Sequence, residues 1–230
     1  MSCNLIELAR SGQYDAEKDE SYLSHYESLF SPLRERPIHL MEIGVLHGGS
    51  LRLWRDYFTR GSINGIDINP APEVLNGAPR IRFFQADQSD AAHMEAIARE
   101  AAPDGFDIII DDASHLGSHT AAAFQVLFER YLRPGGYYCI EDWGTGCWDR
   151  WPDGRKPQRL EIHSEGIEFP SHQCGMVGLV KQLVDQCGIL DVYHPTYGAP
   201  GSRSTSVGGI LIWPGLAIVE RCQPEPASGS

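Results

Sequence analysis

Short apolar runs alternate with amphipathic segments from about residue 37 onward. The apolar runs predict strands at residues 38–44, 62–68, 80–87, 106–112 and 137–142. The amphipathic segments predict helices at residues 50–58, 91–101, 120–131 and 176–187, with Ser50 as the N-cap of the first. Strands that alternate with helices in this way are typical of a parallel sheet covered by helices on both faces. The predicted fold class is therefore α/β.

The chain departs from this alternation after the fifth predicted strand. Residues 144–172 are rich in Trp, Pro, Gly and charge, and a connection of that length usually carries function. Residues 208–220 then predict a hairpin that turns at Pro214-Gly215. We expect a single domain over residues 1–222, with a helical lead-in at 1–36, and a disordered tail at 223–230.

The charge balance argues against a nucleic-acid substrate. The 230 residues include 19 basic and 31 acidic side chains, for a net charge of −12, which repels a phosphate backbone. No apolar run approaches the length of a membrane span, and the N-terminus lacks a signal-peptide pattern, so we expect a cytoplasmic chain with no membrane insertion. Six scattered cysteines without a C-x-x-C pair predict neither a disulfide framework nor a zinc site.

A glycine-rich turn follows the first predicted strand, where the sequence runs Glu42-Ile43-Gly44 and then Gly48-Gly49. Such a turn between strand and helix lets the backbone approach a ligand closely and directs free N–H groups at it. The spacing does not match G-x-G-x-x-G. Asp67 ends the second strand, where a carboxylate accepts hydrogen bonds from ribose hydroxyls. Together these features favour an adenosine-type ligand.

Asp87 and Gln88 end the third predicted strand. Ligands bind beyond the carboxyl ends of parallel strands, so this pair is placed to reach the adenine side of the same cleft. The alternative is that Asp87 caps the helix that follows.

Four segments, in this order along the chain, resemble class I S-adenosylmethionine-dependent methyltransferases. They are Glu42-Ile43-Gly44, Gly65-Ile66-Asp67, Gly105-Phe106-Asp107 and Leu132-Arg133-Pro134-Gly135-Gly136. The likeness covers most of the chain. It implies a Rossmann-like sheet of seven mostly parallel strands in the order 3-2-1-4-5-7-6, with the last strand antiparallel, and S-adenosylmethionine as the adenosine-type ligand.

Four carboxylates and a histidine are predicted to meet at one rim of this sheet. Strand four ends in Asp111-Asp112, with His115 three residues on, and the adjacent strand five ends in Glu141-Asp142. Carboxylates this close raise one another's pKa unless a cation neutralises them. Oxygen ligands suit Mg²⁺, Mn²⁺ or Ca²⁺ over zinc or copper, and Mg²⁺ is the first choice.

A bound metal would leave positions for two neighbouring hydroxyls of an acceptor and lower the pKa of one of them. His115 would then take the proton as the oxygen attacks the sulfonium methyl group, a general-base contribution of roughly 10²–10⁴ in rate. The alternative is that His115 is structural.

The segments Asp111-Asp112-Ala113-Ser114-His115 and Glu141-Asp142-Trp143 resemble the metal-dependent sugar O-methyltransferases. That group acts on macrolide deoxysugars, on rhamnosyl groups of natural products and on mannosides in methylmannose polysaccharide synthesis. The resemblance implies that Asp112, Glu141 and Asp142 bind Mg²⁺ and that His115 is the base. Asp111 then supports the metal ligands or lies close to the methyl donor.

The lead-in also resembles this group in part. The group's lead-in folds over the methionine end of the cofactor and often carries Thr-Asp-Lys, where this chain has Glu17-Lys18-Asp19. No specific contact is therefore predicted there. Of three nearby tyrosines, at least two are predicted to be packing residues of an amphipathic helix, and they are Tyr14, Tyr22 and Tyr26.

The predicted acceptor is a sugar or glycoside, either small or oligosaccharide. The aromatic side chains in and near residues 144–172 form either a wall of the sugar site or a small core of their own, and they are Trp143, Trp148, Trp151, His163 and His172. A catechol-type O-methyltransferase is the alternative enzyme, because a metal also chelates the hydroxyls of a planar aromatic acceptor. A nucleotide-binding oxidoreductase, a non-methylating hydroxylase-like relative and a catalytically silent partner are further alternatives. The sequence leaves open whether the chain forms a homo-oligomer.

Overall fold

The computed structural model describes residues 4–16, 18–159, 169–189, 196, 198 and 205–223. Its strands are β1 His39–Ile43, β2 Ser62–Asp67, β3 Ile81–Gln85, β4 Phe106–Asp111, β5 Leu132–Glu141, β6 Gln158–Arg159, β7 Pro170–Ser171, β8 Val207–Trp213 and β9 Leu216–Arg221. Its helices are α1 Leu5–Ala9, α2 Glu20–Phe30, α3 Gly49–Tyr57, α4 Ala91–Ala101, α5 Gly117–Tyr131 and α6 Gly175–Gly188. Short 3₁₀ helices lie at Ser31–Leu33, Glu73–Leu75 and Trp143–Cys147.

Within the part of the chain that the structure describes, the main sheet has seven strands in the order β3-β2-β1-β4-β5-β9-β8. Strands β1 to β5 are parallel to one another, and β9 pairs antiparallel with both β5 and β8. Among the described residues β6 and β7 pair only with each other, so the strands of the main sheet, numbered by themselves, follow the order 3-2-1-4-5-7-6. The predicted α/β class and strand order are therefore confirmed.

Alternation along the central strands explains why helices cover both faces. Successive side chains of a strand point to opposite faces. Ile109 of β4 packs in a cluster with residues of α4, α5 and α6, whereas its neighbours Ile108 and Ile110 pack with residues of α1, α2 and α3. All three isoleucines are fully buried, because helices cover both faces of the sheet, and this explains why the sequence of β4 is a continuous apolar run.

Several predicted boundaries are wrong, and the structure gives a cause for each. Ser50 is not an N-cap, because α3 is preceded by Gly48 in a left-handed conformation and the Ser50 hydroxyl donates to Glu42 instead. Helix α5 begins at Gly117, where Asp153 accepts a hydrogen bond from the Gly117 amide. Strand β5 begins at Leu132, because the Pro-Gly-Gly segment joins the ladder through a register shift opposite β4.

The lead-in contains helices α1 and α2, and the C-terminal hairpin forms as predicted. Asn4 and Glu7 make a capping box on α1, and Asp19 caps α2. The hairpin of β8 and β9 turns at Pro214-Gly215, with Gly215 at φ +77°. Within the ranges described above, no helix is both long and apolar enough to cross a membrane. Residues 224–230, most of the predicted tail, lie outside the described part.

Candidate active site

A cleft of about 520 Å³ opens at the carboxyl ends of the parallel strands. It lies where the topology of α/β sheets places ligand sites. Its lining includes residues of the turns after the strands and of the lead-in, and the predicted site residues among them are Gly44, Asp67, Asp87, Gln88, Asp112, His115 and Asp142. The other predicted site residues lie outside the lining, and they are Glu42, Gly48, Asp111 and Glu141. The roles of both sets stay predictions.

Gly44 is required by the close approach of two strand ends. It has φ +92°, and a Cβ atom there would lie 2.1 Å from the backbone oxygen of Asp112. The Gly44 amide donates to the carbonyl of Ile66, and the Asp112 amide donates to that of Ile43. Gly48, at φ +82°, turns the chain into α3. The glycine turn thus holds the ends of β1, β2 and β4 together at the cleft floor.

Asp67 holds the glycine turn in shape. Its Oδ2 accepts hydrogen bonds from the amides of Val45 at 2.8 Å and Leu46 at 3.2 Å, and its Oδ1 accepts from Asn69. Partial burial raises the pKa of Asp67, but the amides of Asn69, Val45 and Leu46 outweigh it, so the pKa lies below its ordinary value. Asp67 is therefore an anionic acceptor at the cleft wall.

A buried network lies behind the cleft. Gln88 donates from Nε2 to Asp111 Oδ1 at 2.6 Å, and the Tyr138 hydroxyl donates to Asp111 Oδ2 at 3.0 Å. Burial raises the pKa of Asp111 to about 6.

Asp87 accepts from Ser89, and the cap of α4 is Asp90, so the alternative interpretation of Asp87 as that cap is wrong.

Lys18 is the residue that sequence reasoning missed. Its ammonium group lies 3.0 Å from Glu42 Oε1, 2.9 Å from Asp112 Oδ2 and 2.8 Å from Glu141 Oε1, and its side chain is only 2% exposed. Burial lowers the pKa of Lys18, but the three carboxylates outweigh it and hold the pKa well above its ordinary value. Lys18 is therefore a resident cation among the crowded carboxylates.

The Lys18 ammonium group weakens the inference that only a metal ion could neutralise the crowded carboxylates. The lysine already compensates part of the negative charge that was predicted to require a metal. Glu141 Oε1 also accepts from the Tyr26 hydroxyl at 2.7 Å, so that oxygen already has two partners. The Glu42 carboxylate accepts from Ser50 and Trp54 as well as Lys18. One feature of the sequence pointed to Lys18: it lies in the lead-in, which resembles the segment that folds over the cofactor in the related enzymes.

Asp112, which contacts Lys18, also lies close to two further side chains that line the cleft, His115 and Asp142. One potential ligand atom from each of Asp112, His115 and Asp142 lies within 4.8 Å of the other two. His115 Nε2 is 3.8 Å from Asp142 Oδ2, and the Tyr22 hydroxyl donates to Asp142 Oδ1 at 2.8 Å. The structure thus brings together Asp112 and Asp142 of the predicted metal ligands with the predicted base, while Glu141 Oε1 contacts Lys18.

The aromatic side chains in and near residues 144–172 lie in different environments. Trp143 packs partly against the core and donates to the carbonyl of Trp213, whereas Trp148 is 59% exposed and packs edge-on against Trp151. Trp151 lies beside His115, with ring centroids 6.2 Å apart. His172 is buried, and His163 lies outside the described residues.

Comparison with known proteins relates the chain to enzymes that methylate glycosides. Mycinamicin VI 2''-O-methyltransferase of Micromonospora griseorubida is 34% identical over 207 residues, which is 87% of this chain and 48% of that protein. The 8-demethyl-8-alpha-L-rhamnosyl tetracenomycin-C 2'-O-methyltransferase of Streptomyces olivaceus is 35% identical over 210 residues, 87% of this chain and 50% of that protein. The chain thus spans about half the length of the curated relatives it matches.

A solved structure shares the fold as well. The MycE methyltransferase of the mycinamycin pathway, in complex with Mg and SAH, superposes with a TM-score of 0.73 at 30% identity, covering 97% of this chain and 55% of that one. A complex of MycE that also holds mycinamycin VI superposes with a TM-score of 0.72 at 31% identity, covering 96% and 54%. No protein-family model matches the sequence. By its identity to these relatives over most of its length and by the shared fold, the chain belongs to the family of class I S-adenosylmethionine-dependent methyltransferases that includes these sugar O-methyltransferases.

Proposed function

We propose that this chain transfers a methyl group from S-adenosylmethionine to a sugar hydroxyl of a small glycoside, with Mg²⁺ as the metal cofactor. The observation that carries the proposal is the meeting of His115 with Asp112 and Asp142 at one end of the cleft. Relatives named for methylating mycinamicin VI and a rhamnosyl tetracenomycin support the choice of acceptor. The MycE complexes with Mg and SAH support the choice of methyl donor and metal.

The chain's own residues fit a divalent cation. Asp112 and Asp142 offer carboxylate oxygens close to each other, which are the ligands that Mg²⁺ prefers. Tyr22 orients the Asp142 carboxylate by a hydrogen bond, as supporting residues of metal sites do. Glu141 is proposed as the third ligand through the carboxylate oxygen that does not contact Lys18. Bound by these residues, Mg²⁺ supplies Lewis-acid polarisation of an acceptor hydroxyl.

His115 is proposed as the general base. Its imidazole lines the cleft and is 18% exposed, so an acceptor hydroxyl can reach it. The hydroxyl proton passes to an imidazole nitrogen while the oxygen forms a bond to the methyl carbon. The carbon–sulfur bond breaks at the same time, its electron pair returns to sulfur, and S-adenosylhomocysteine leaves as a neutral thioether. His115 then releases the proton to solvent.

The cleft residues Asp67 and Asp87 are proposed to bind the nucleoside end of the methyl donor. Both line the cleft at the ends of β2 and β3, away from the carboxylates of β4 and β5. Asp67 is anionic and accepts hydrogen bonds, which suits ribose hydroxyls. Gln88 is proposed to act with them, and Asp111 to support Gln88 from behind. With the nucleoside bound there, the part of the cleft lined by His115 would be left for the sulfonium group.

A transfer assay tests the proposed function. The chain is incubated with S-adenosylmethionine labelled in the methyl group, a panel of glycosides and a panel of catechols, with Mg²⁺ or with a chelator. We expect labelled methyl on glycosides, detected by mass spectrometry, and loss of the label with the chelator. Preferential labelling of catechols, or S-adenosylmethionine binding without transfer to any acceptor, would contradict the proposal.

Asp112→Asn is expected to weaken Mg²⁺ binding at least about tenfold, because the neutral amide is a poorer ligand for a hard cation. The asparagine oxygen can still accept from Lys18, so the fold is expected to persist. Titration calorimetry with Mg²⁺ measures the change. Asp185→Asn, on the exposed face of α6, is the matched control. Equal Mg²⁺ affinity in both variants would remove Asp112 from the ligand set.

A further inference from the structure

Two residues of the proposed site have an unfavourable backbone conformation. His115 has φ +49° and Asp142 has φ +53°, in the left-handed region where a Cβ atom approaches the following carbonyl. Residues other than glycine persist there when surrounding contacts hold them, and such residues cluster at functional sites. The contacts that hold His115 and Asp142 therefore determine where their side chains lie.

One buried hydroxyl lies against the backbone of both residues. Thr145 Oγ1 is 2.9 Å from the carbonyl oxygen of Asp142 and 3.3 Å from that of His115, and Thr145 is 3% exposed. The Thr145 amide also donates to the Asp142 carbonyl at 3.0 Å. Thr145 therefore links the end of β5 to the loop after β4.

A second contact comes from an indole. Trp151 Nε1 donates to the carbonyl oxygen of His115 at 2.9 Å. Two residues further along each segment, Asp153 Oδ2 accepts from the amide of Gly117 at 2.7 Å, which caps the first turn of α5. The loop that carries His115 is thus held by the same segment at its carbonyl and at the helix that follows it.

Backbone hydrogen bonds within this segment hold successive turns of it together. The amide of Trp148 donates to the carbonyl of Thr145, that of Trp151 to Trp148, and that of Gly154 to Trp151. Within the described ranges, Thr145, Trp151 and Asp153 all lie outside the lining of the cleft. Their effect on chemistry must therefore pass through the residues they hold.

We propose that residues 145–153, the clamp segment, set the position of the base and of one metal ligand. Thr145 and Trp151 are positioning residues that hold His115 and Asp142 in the left-handed conformation, and Asp153 anchors the loop behind them. This inference rests on the proposed function, because it assumes that His115 is the base. It assigns a task to the first part of the insertion that follows β5.

Thr145→Val and Trp151→Phe test the clamp, because each removes a hydrogen-bond donor and keeps most of the side-chain volume. We expect kcat for methyl transfer to fall by about tenfold or more, since misplacing a reacting group by about 1 Å costs on the order of 10²-fold. The Kd for S-adenosylmethionine, measured by calorimetry, is expected to stay within about twofold, because neither residue lines the cleft. Substitution of a residue that only stabilises the fold would not lower kcat while leaving the Kd for S-adenosylmethionine unchanged.

Hydrogen exchange provides a readout that needs no turnover. Loss of one hydrogen bond is expected to speed exchange of the amides of residues 115–117 by about three- to tenfold. Thr120→Val is the control for Thr145→Val, because the buried Thr120 hydroxyl has no hydrogen-bond partner among the described residues. Trp213→Phe, which changes a partly buried indole of β8 outside the clamp segment, is the control for Trp151→Phe.

The two measurements separate the clamp from the proposed function. If exchange at residues 115–117 quickens only in Thr145→Val and Trp151→Phe but wild type methylates nothing, the clamp stands as a structural device and the proposed function fails. Exchange equal to wild type in both variants, or exchange that quickens equally in the controls, overturns the clamp. Unchanged kcat in an active enzyme overturns it as well.

Discussion

His115→Ala is expected to lower kcat for methyl transfer by about 10²–10⁴-fold, the usual contribution of a general base. His115 Nε2 lies 3.8 Å from the proposed metal ligand Asp142, so the substitution removes the proposed proton acceptor beside that ligand. Because the base acts in the transition state, the Kd for S-adenosylmethionine is expected to change little. Single-turnover kinetics with labelled methyl donor measure the first effect and calorimetry the second.

His119 provides the decisive comparison, because it is another histidine that lines the cleft. It lies on α5, whereas His115 belongs to the loop between β4 and α5. If His119→Ala loses turnover and His115→Ala keeps it, His119 is the base and the proposed mechanism is wrong. If both variants keep turnover, the proton leaves by another route.

Lys18→Met is expected to lower the free energy of unfolding by about 3–5 kcal/mol, the usual result of removing one partner from a buried ionic group. The ammonium group lies within 3.0 Å of Glu42, Asp112 and Glu141, and methionine leaves these carboxylates without their cation. Denaturant unfolding in the presence of a chelator measures the loss. Lys156→Met, which removes the exposed partner of Asp149, is expected to leave the unfolding free energy nearly unchanged.

Repeating the Lys18→Met measurement in Mg²⁺ tests whether a divalent cation takes over this neutralisation. Ligands that bind the folded state raise its stability, so Mg²⁺ is expected to recover more stability in the variant than in wild type. A Lys18→Met protein as stable as wild type in chelator would show that the ammonium does not compensate the carboxylates. The crowded carboxylates would then again require a metal ion to neutralise them.

Prediction from sequence succeeded where the signal was local. The apolar runs of β1, β2 and β4 and the amphipathic pattern of α4 correspond closely to the elements of the structure. The hairpin of β8 and β9 was predicted from its Pro-Gly turn. Each of these signals depends on residues a few positions apart, so a single sequence carries it in full.

The errors come from partners far apart in the chain. Helix α5 starts three residues earlier than its pattern predicts, and the carboxylate that accepts from its first amide belongs to Asp153, 36 positions away. Lys18 contacts Asp112 and Glu141 across 94 and 123 positions. No periodicity or spacing records such pairs. The left-handed conformation of His115 is missed for the same reason, because its carbonyl contacts Thr145 and Trp151, which are 30 and 36 positions away.

The sequence by itself determined the α/β class and the strand ends that carry the carboxylates and His115, because these signals lie in neighbouring residues, and its resemblance to class I methyltransferases implied the strand order. Only the tertiary structure decided which charges neutralise one another there. It places the Lys18 ammonium among Glu42, Asp112 and Glu141, and it leaves Asp112, His115 and Asp142 facing the cleft. The physical reason is that electrostatic pairing depends on distance in space, which a sequence does not state.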